Sequence, residues 1–570
     1  MDQSDDGPRV RRGRFRRHAL ESLVVFAMGV AIMHFIYGGA DGVPGHDSFY
    51  HVKMAAMLPE HGLLRDFPWL RFAYFTEEGH SFVSHHYGFH ALLAPFVHVS
   101  YRLTGDYLPG ARWAMATFLG LSLVLIKSIL VAGRVRWYWL WLLLFVFMPF
   151  QFFTRHAFVR AISPSLAFML LIVLLMFRRR YVLTGLAIAC YIHLYLGGVL
   201  YAPLLVGLYV LSSAIGPRGD REMPWKLLLW TAAGWLIGIL IHPYSYGMWE
   251  FLKIQVFGSG LSPDISVGRE WKPYRDLWWF AQMSGVLLIV WAVATCVRFR
   301  LGKSLAAREL MLLLAHFIFL GLTFKARRFI EYWPVFCLLS TAFMAAPLLE
   351  RVTAWCDRRI DKDKGNRAPW IYRTATVFII GGIFALVSMS PQWKGIRRVA
   401  RCGYDLPAIR KAMEFLKDCS QPGYVVFTDD WDIFPVYFYY NSHNYYIVGL
   451  DPKFTHARRP VLWERYVKIS RGEIPASVSV KVRDGSAEQR REKVDVTLKD
   501  VREHFGARFV ITDRDHKRLA GKLAARKDFA ELVYPATSYS EARNAPYLIF
   551  RIREQDGQTE SELSAPVIGG

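Results

Sequence analysis

The chain has 570 residues, 53% of them hydrophobic and 15% aromatic, and its 70 Lys and Arg outnumber its 47 Asp and Glu to give a formal charge of +23. The apolar residues come in uninterrupted blocks such as 137–150 and 227–241 with the charges confined to the gaps, a pattern that indicates a polytopic membrane protein and excludes a soluble enzyme, a fibrous protein and a disordered chain. The basic residues form short clusters beside those blocks, so they read as orientation signals for membrane insertion and not as a nucleic-acid surface.

Residues 1–19 make a basic cytoplasmic tail with Arg9, Arg11, Arg12, Arg14, Arg16 and Arg17. The apolar run 23–37 follows without a small-residue cleavage site, which predicts an uncleaved first helix. Further spans are expected near 111–132, 137–153, 164–177, 182–195, 197–213, 227–241, 277–297, 309–324, 332–349 and 374–390, about eleven in all. An odd number puts the C-terminus outside. Arg134 and Arg136, the run 178–180, Arg218 with Lys226, and the stretches 298–303 and 358–364 then all fall on cytoplasmic loops, as the bias of basic residues toward that side requires. The stretch 88–103, with His90, His98 and Arg102, reads as an amphipathic helix at the outer interface.

A membrane domain over 20–391 therefore carries outer loops at 38–110, 154–164 and 242–276. Residues 392–553 form a polar segment long enough for one domain. Its short runs 424–427, 436–440, 445–448, 509–511 and 547–550 are rich in β-branched and aromatic residues, and helical patterns lie at 406–416 and 498–505. The segment is thus expected to be an α/β domain on the periplasmic or extracellular side. The last residues, 554–570, read as a disordered tail. Six cysteines in a chain of this length rule out a disulfide scaffold. Cys402 and Cys419 lie close together in a polar segment and are candidates for one bridge.

The first outer loop opens with Gly45-His46-Asp47-Ser48, a carboxylate directly after a span. Asp47 is a candidate catalytic group; the alternative is that it caps the following helix, a position Asp favours. His80, His85, His86 and His90 share the loop, but their spacing matches no zinc pattern, leaving His85 and His86 as weak metal candidates beside Asp47. The loop 154–164 carries Arg155, His156 and Arg160, cations on the side where orientation rules disfavour them. Arg327 and Arg328 repeat the anomaly between two apolar helices. Guanidinium pairs bidentately with phosphate oxygens, so a lipid-linked phosphate suits both places. Glu270, on a loop with glycines at 258, 260 and 268, is a candidate acid or acceptor contact. In the C-terminal segment Asp429, Asp430 and Asp432 flank Trp431 at the end of an expected strand, where loops carry binding edges.

A carboxylate after the first span, outer arginines, an odd number of spans and an outer α/β domain together resemble the C superfamily of integral-membrane glycosyltransferases, nearest the catalytic subunits of oligosaccharyltransferases. Their first-loop Asp motif is matched by Gly45-His46-Asp47. Their flexible-loop Glu, in a Ser-Val-x-Glu-x-x-Pro context, resembles Glu270 before Pro273 with one extra residue, and their WWDYG acceptor motif is echoed by Asp430-Trp431-Asp432-Ile433-Phe434. Their late phosphate-binding Arg corresponds to Arg327 or Arg328. The resemblance implies transfer from a polyprenyl-phosphate or pyrophosphate donor to a protein or glycolipid acceptor, in the cell (inner) membrane, with Asp47 and Glu270 catalytic. Arg327, Arg328, Arg155 and Arg160 would then hold phosphate, and Asp430, Trp431 and Asp432 the acceptor. Where that family carries an acidic pair in the second loop, this chain has Ser163 and Ser165, so a Mg2+ or Mn2+ ion at Asp47 would lack its usual donors. Transfer to a protein hydroxyl or a glycolipid from a simpler monosaccharide donor therefore stays open. A transporter or flippase is the other class weighed, but no internal repeat supports it and the distinctive charges lie on outer loops.

Overall fold

The computed structural model describes residues 8–77, 79–216, 223–256, 265, 268–302, 304–360, 391–401, 403–483 and 489–554. The expected span at 374–390, Cys402 with its candidate bridge, and the tail beyond 554 lie outside the described residues. The chain divides into two compact units. One comprises Met1–Pro44, His85–Ser245 and Gly268–Cys402; the other comprises Gly45–Ser84, Tyr246–Val267 and Gly403–Gly570.

The first unit is helical. Helices Pro8–Tyr37, Leu108–Ala132, Gly198–Ile215, Leu277–Arg300, Ala307–Lys325 and Trp333–Ile360 cover expected spans to within a few residues outside their long ends. Among the described residues six helices are long and apolar enough to cross a bilayer, and two bent pairs bring that to eight. The expected eleven also took in Ile162–Phe177 and Tyr181–Leu194, which at 16 and 14 residues fall short of the roughly 20 that span hydrocarbon untilted. The expected span 137–153 is broken: Tyr138–Leu144 continues into Phe145–Phe147, and after Pro149 the helix Phe150–Ala157 departs at 84°. Proline lacks the N–H that would carry the ladder on. A similar break near His242 and Pro243 turns the chain by 102° after Trp225–Leu240. The helices Tyr181–Leu194 and Trp225–Leu240 cross at Gly185 and Gly234: a Cβ on Gly234 would strike the Gly185 backbone, and one on Gly185 the Trp230 backbone. Small residues at such crossings let backbones approach and gain packing that lipid does not provide.

The second unit is α/β. Its sheet has the order β2-β1-β5-β7-β6, from Val425–Thr428 (β1), Tyr445–Tyr446 (β2), Phe509–Asp513 (β5), Ala530–Tyr534 (β6) and Tyr547–Ile552 (β7). Strands β2, β1 and β5 run parallel, with β7 and β6 antiparallel beyond them. A separate hairpin pairs Ala476–Arg483 (β3) with Gln489–Val496 (β4). Strand β1 is buried at Val426, Phe427 and Thr428, as a central strand covered on both faces must be. The run 436–440, expected as a strand, is instead the helix Phe434–Tyr440, started by Pro435 in its first turn. Proline is pre-set for that position.

The loop segment 45–84 belongs to this unit for a visible reason. Leu70 forms a parallel bridge to Tyr446, Arg71 N–H donates to the Tyr446 carbonyl at 2.9 Å, and Tyr446 N–H donates to the Trp69 carbonyl at 2.8 Å. Residues 69–72 therefore cover the free edge of β2, removing an exposed ladder. The helix His46–His61 packs on Phe434–Tyr440 through Tyr50 against Phe438 and Phe49 against Tyr439.

Candidate active site

In the helical unit, the outer arginines converge. The helix Phe150–Ala157 carries Arg155 in its last turn, and the tight turn after it carries Arg160. Both guanidiniums lie over the Phe158 ring, at 5.5 and 5.4 Å. The short 3-10 helix Arg327–Glu331 brings Arg328 and Glu331, and the 3-10 turn Arg269–Trp271 brings Glu270. Arg155 Nε donates to Glu331 Oε1 at 2.6 Å, and a second of its nitrogens donates to Glu270 Oε2. Arg160 donates to the same Glu270 oxygen at 2.9 Å, and Arg328 lies 3.7 Å from Glu270 Oε1 with its guanidinium 4.2 Å from the Trp271 ring.

The network holds three guanidiniums and two carboxylates, so one positive charge is in surplus. It is largely removed from water: Arg155 is 11% exposed and Glu331 2%. Burial alone would raise the Glu270 pKa, but the charges of Arg155, Arg160 and Arg328 outweigh it and hold the carboxyl well below its usual range. Glu270 is thus held as an anion within the network. Arg327 separates from its neighbour: its Nε donates to the Pro273 carbonyl at 3.1 Å and its guanidinium covers Tyr274, outside the network. Glu331 was not singled out in the sequence, although an acid three residues after Arg328 at the mouth of an apolar helix was a visible signal.

Ser163 and Ser165 are buried and engaged. Ser163 Oγ lies 2.9 Å from His156 Nδ1, and Ser165 Oγ lies 2.6 Å from the Tyr191 hydroxyl and 3.1 Å from that of Tyr332. His85 and His86 have ring centroids 3.8 Å apart, and His86 stacks on Tyr195. Burial, then the charge of Arg328, pushes the His85 pKa down to about 3, which keeps the imidazole neutral.

In the α/β unit, Asp47 occupies the second position of the helix His46–His61. The helix is capped by Gly45 at φ 79°, with no side-chain cap. Asp47 therefore is not the cap residue; it adds a negative charge to the first turn, where the helix dipole favours one. The adjacent His46 joins the two motifs read separately in the sequence: its Nδ1 lies 3.0 Å from Asp432 Oδ2. Its ring also packs on Tyr404 at 4.7 Å. Asp432 N–H donates to Asp430 Oδ1 at 3.0 Å, an Asx turn that shapes the loop. Burial, outweighing the contact from Asp432 N–H, raises the Asp430 pKa. Trp431 is half-buried against the core formed by Phe427, Val510 and Tyr466.

The hydroxyls of Ser163 and Ser165 are spent within the helical unit, and among the described residues Asp47, His85 and His86 belong to no group of three converging ligands. The group that does converge is Asp429, Asp513 and His516.

No protein-family model matches the chain, and no curated protein matches it. Solved structures do. The archaeal oligosaccharyltransferase AglB from Archaeoglobus fulgidus, in complex with an inhibitory peptide and a dolichol-phosphate, aligns with a TM-score of 0.56 at 11% identity over 88% of this chain and 70% of that one. Its apo form aligns at 0.55 over 87% and 70%, also at 11% identity. The arabinofuranosyltransferase AftD from Mycobacteria aligns at 0.56 and 14% identity over 94% of this chain and 40% of AftD. The likeness is one of fold: the chain shares the fold of these solved structures, with six helices among the described residues long and apolar enough to cross a membrane and an α/β C-terminal part.

Proposed function

We propose that the chain is a membrane glycosyltransferase that moves a sugar or oligosaccharide from a polyprenyl-phosphate or pyrophosphate donor to a protein or glycolipid acceptor on the outer side of the inner membrane. The observation that carries this reading is the convergence of Arg155, Arg160 and Arg328 on the single carboxylate of Glu270. A buried cluster with cations in surplus stabilises an anion, and planar guanidiniums match phosphate oxygens. Glu270 supplies the oxygens and negative charge that a donor phosphate would bring, so it acts as a placeholder that the donor displaces. Arg327, outside that cluster, contributes little to donor affinity.

In the reaction, the anomeric carbon gains a bond to the acceptor atom as its bond to the phosphate oxygen breaks. The phosphate leaves with its charge against the three guanidiniums. Asp47 takes the acceptor proton or orients the acceptor, as a carboxylate does in general base catalysis. Asp430, Trp431 and Asp432 contact the acceptor, and the close pairing of His46 with Asp432 ties their loop to the helix that carries Asp47. The engagement of Ser163 and Ser165 with His156, Tyr191 and Tyr332, where carboxylates would be needed for amide activation, favours a hydroxyl acceptor.

The test is transfer of a radiolabelled sugar from a polyprenyl-phosphate donor by the purified chain in lipid nanodiscs. Mass spectrometry of cell-surface proteins and glycolipids from cells with and without the gene identifies the acceptor. Failure to bind polyprenyl phosphate, with identical surface glycans in both cell lines, overturns the reading.

A further inference from the structure

The α/β unit contains a second charged cluster that the transfer reaction does not use. Asp429 directly follows β1, and Asp513 ends β5; the two strands are parallel neighbours, paired at Thr428 and Ile511. Their carboxylates therefore meet at the carboxyl edge of the sheet, the edge at which open α/β sheets gather ligands. His516, at the start of the helix Lys517–Ala525, closes the group. Its Nδ1 lies 3.0 Å from Asp429 Oδ2 and 2.8 Å from Asp513 Oδ1, and one ligand atom from each of the three residues lies within 4.8 Å of the others.

An imidazolium bridging two carboxylates accounts for part of this arrangement. It does not account for Asp429 Oδ1. Asp429 is 2% exposed, and that oxygen is buried with no hydrogen-bond donor against it. Buried carboxylate oxygens left bare cost free energy, and native proteins rarely keep them so. The buried hydroxyls of Thr512, next to Asp513, and of Tyr437, which feels the charges of Asp429 and Asp513, also lack hydrogen-bond partners.

We propose that Asp429, Asp513 and His516 bind a divalent transition-metal ion of the Zn2+ or Mn2+ class. Two carboxylates and one imidazole are a donor set that suits these ions, whereas Mg2+ and Ca2+ favour oxygen alone. The ion takes the Nδ1 lone pair and the proton there leaves to solvent, so charge and atoms balance. It gives Asp429 Oδ1 a partner and fixes the start of the loop 429–433 to the end of β5. The ion thus braces the loop that carries Asp430, Trp431 and Asp432 from outside that group.

The experiment uses the full chain in detergent, treated with chelator, dialysed, and titrated by calorimetry with MnCl2 and separately with ZnCl2. One ion per chain is expected. His516→Ala and Asp513→Asn should each weaken binding by at least about 10-fold, while Asp47→Asn leaves it unchanged. Thermal melts show whether each variant is folded. X-ray absorption at the zinc edge of the wild-type chain, which needs no variant, should give a shell of nitrogen and oxygen with an imidazole signature. A wild-type chain that holds no ion, an ion kept at full affinity by both variants, loss of binding in Asp47→Asn, or a shell of sulfur overturns the proposal.

Discussion

The two charged clusters of this protein are opposites in composition. In the helical unit three arginines face two glutamates; in the α/β unit two aspartates face one histidine. Each contains a buried carboxylate, Glu331 in the first and Asp429 in the second, beside partly buried partners, so a leftover charge needs a partner more than it would in water. The surplus of cations in the first calls for an anion, and the surplus of carboxylates in the second calls for a cation. The histidine can give up its proton and the arginines cannot, so only the α/β cluster can exchange a proton for a metal ion.

The largest effect should come from a carboxylate outside both clusters. If the clusters hold ions and neither moves the acceptor proton, Asp47→Asn should lower sugar transfer by about 10²- to 10⁴-fold while thermal unfolding stays unchanged. Full activity in a purified assay would return that task to one of the clusters.

Next is the integrity of the arginine network. Arg155→Gln leaves Glu331 charged and buried without its main partner, and breaking a buried pair costs about 3–5 kcal/mol. The double variant Arg155→Gln, Glu331→Gln should recover most of the lost unfolding temperature. An unchanged melt in the single variant would mean the pair is solvated.

The adjacent arginines sharpen the comparison further. Arg328→Gln should weaken polyprenyl-phosphate binding by about 10- to 100-fold, since a hydrogen bond to a charged group contributes about 1.5–3 kcal/mol. Arg327→Gln should change it by no more than about 2-fold, the scale of an exposed charge. Equal losses in a binding titration would put both residues in the cradle.

The smallest effect tests the placeholder. Glu270→Gln raises the surplus from one charge to two, and polyprenyl-phosphate affinity should rise a few-fold, on the scale of one partly screened charge. The wild-type carboxyl is held well below its usual pKa, so what its ion pairs contribute is present above the unfolded value and lost only as pH falls through the lower folded one. Lowering the pH from about 7 to about 5 should therefore not mimic the variant.

Local pattern was enough for the helices. The apolar blocks that predicted spans at 111–132, 197–213 and 309–324 became Leu108–Ala132, Gly198–Ile215 and Ala307–Lys325, because a bilayer demands long apolar helices and little else. It also sufficed for β1, β5 and β7, and for picking out Arg155, Arg160, Arg328 and Glu270 as charges in unusual places. It misread 436–440, whose aromatic run suits a strand or a helix equally until Pro435 and the packing partner decide.

What the sequence by itself determined was thus the class of the protein, the position of most spans and the identity of the unusual charges. Only the tertiary structure decided which charges meet. Glu331 is 176 residues from Arg155, and Asp513 is 84 from Asp429. Nothing in local spacing encodes such pairings, because they arise from helix ends and strand edges brought together by packing. The same holds for the loop 69–72, which reads as an irregular outer segment and becomes the cover of β2 through backbone hydrogen bonds that carry no side-chain signature. Arg327 and Arg328 make the point in two adjacent residues: identical in type, they part because successive side chains on a 3-10 turn point in different directions, and only one points to Glu270.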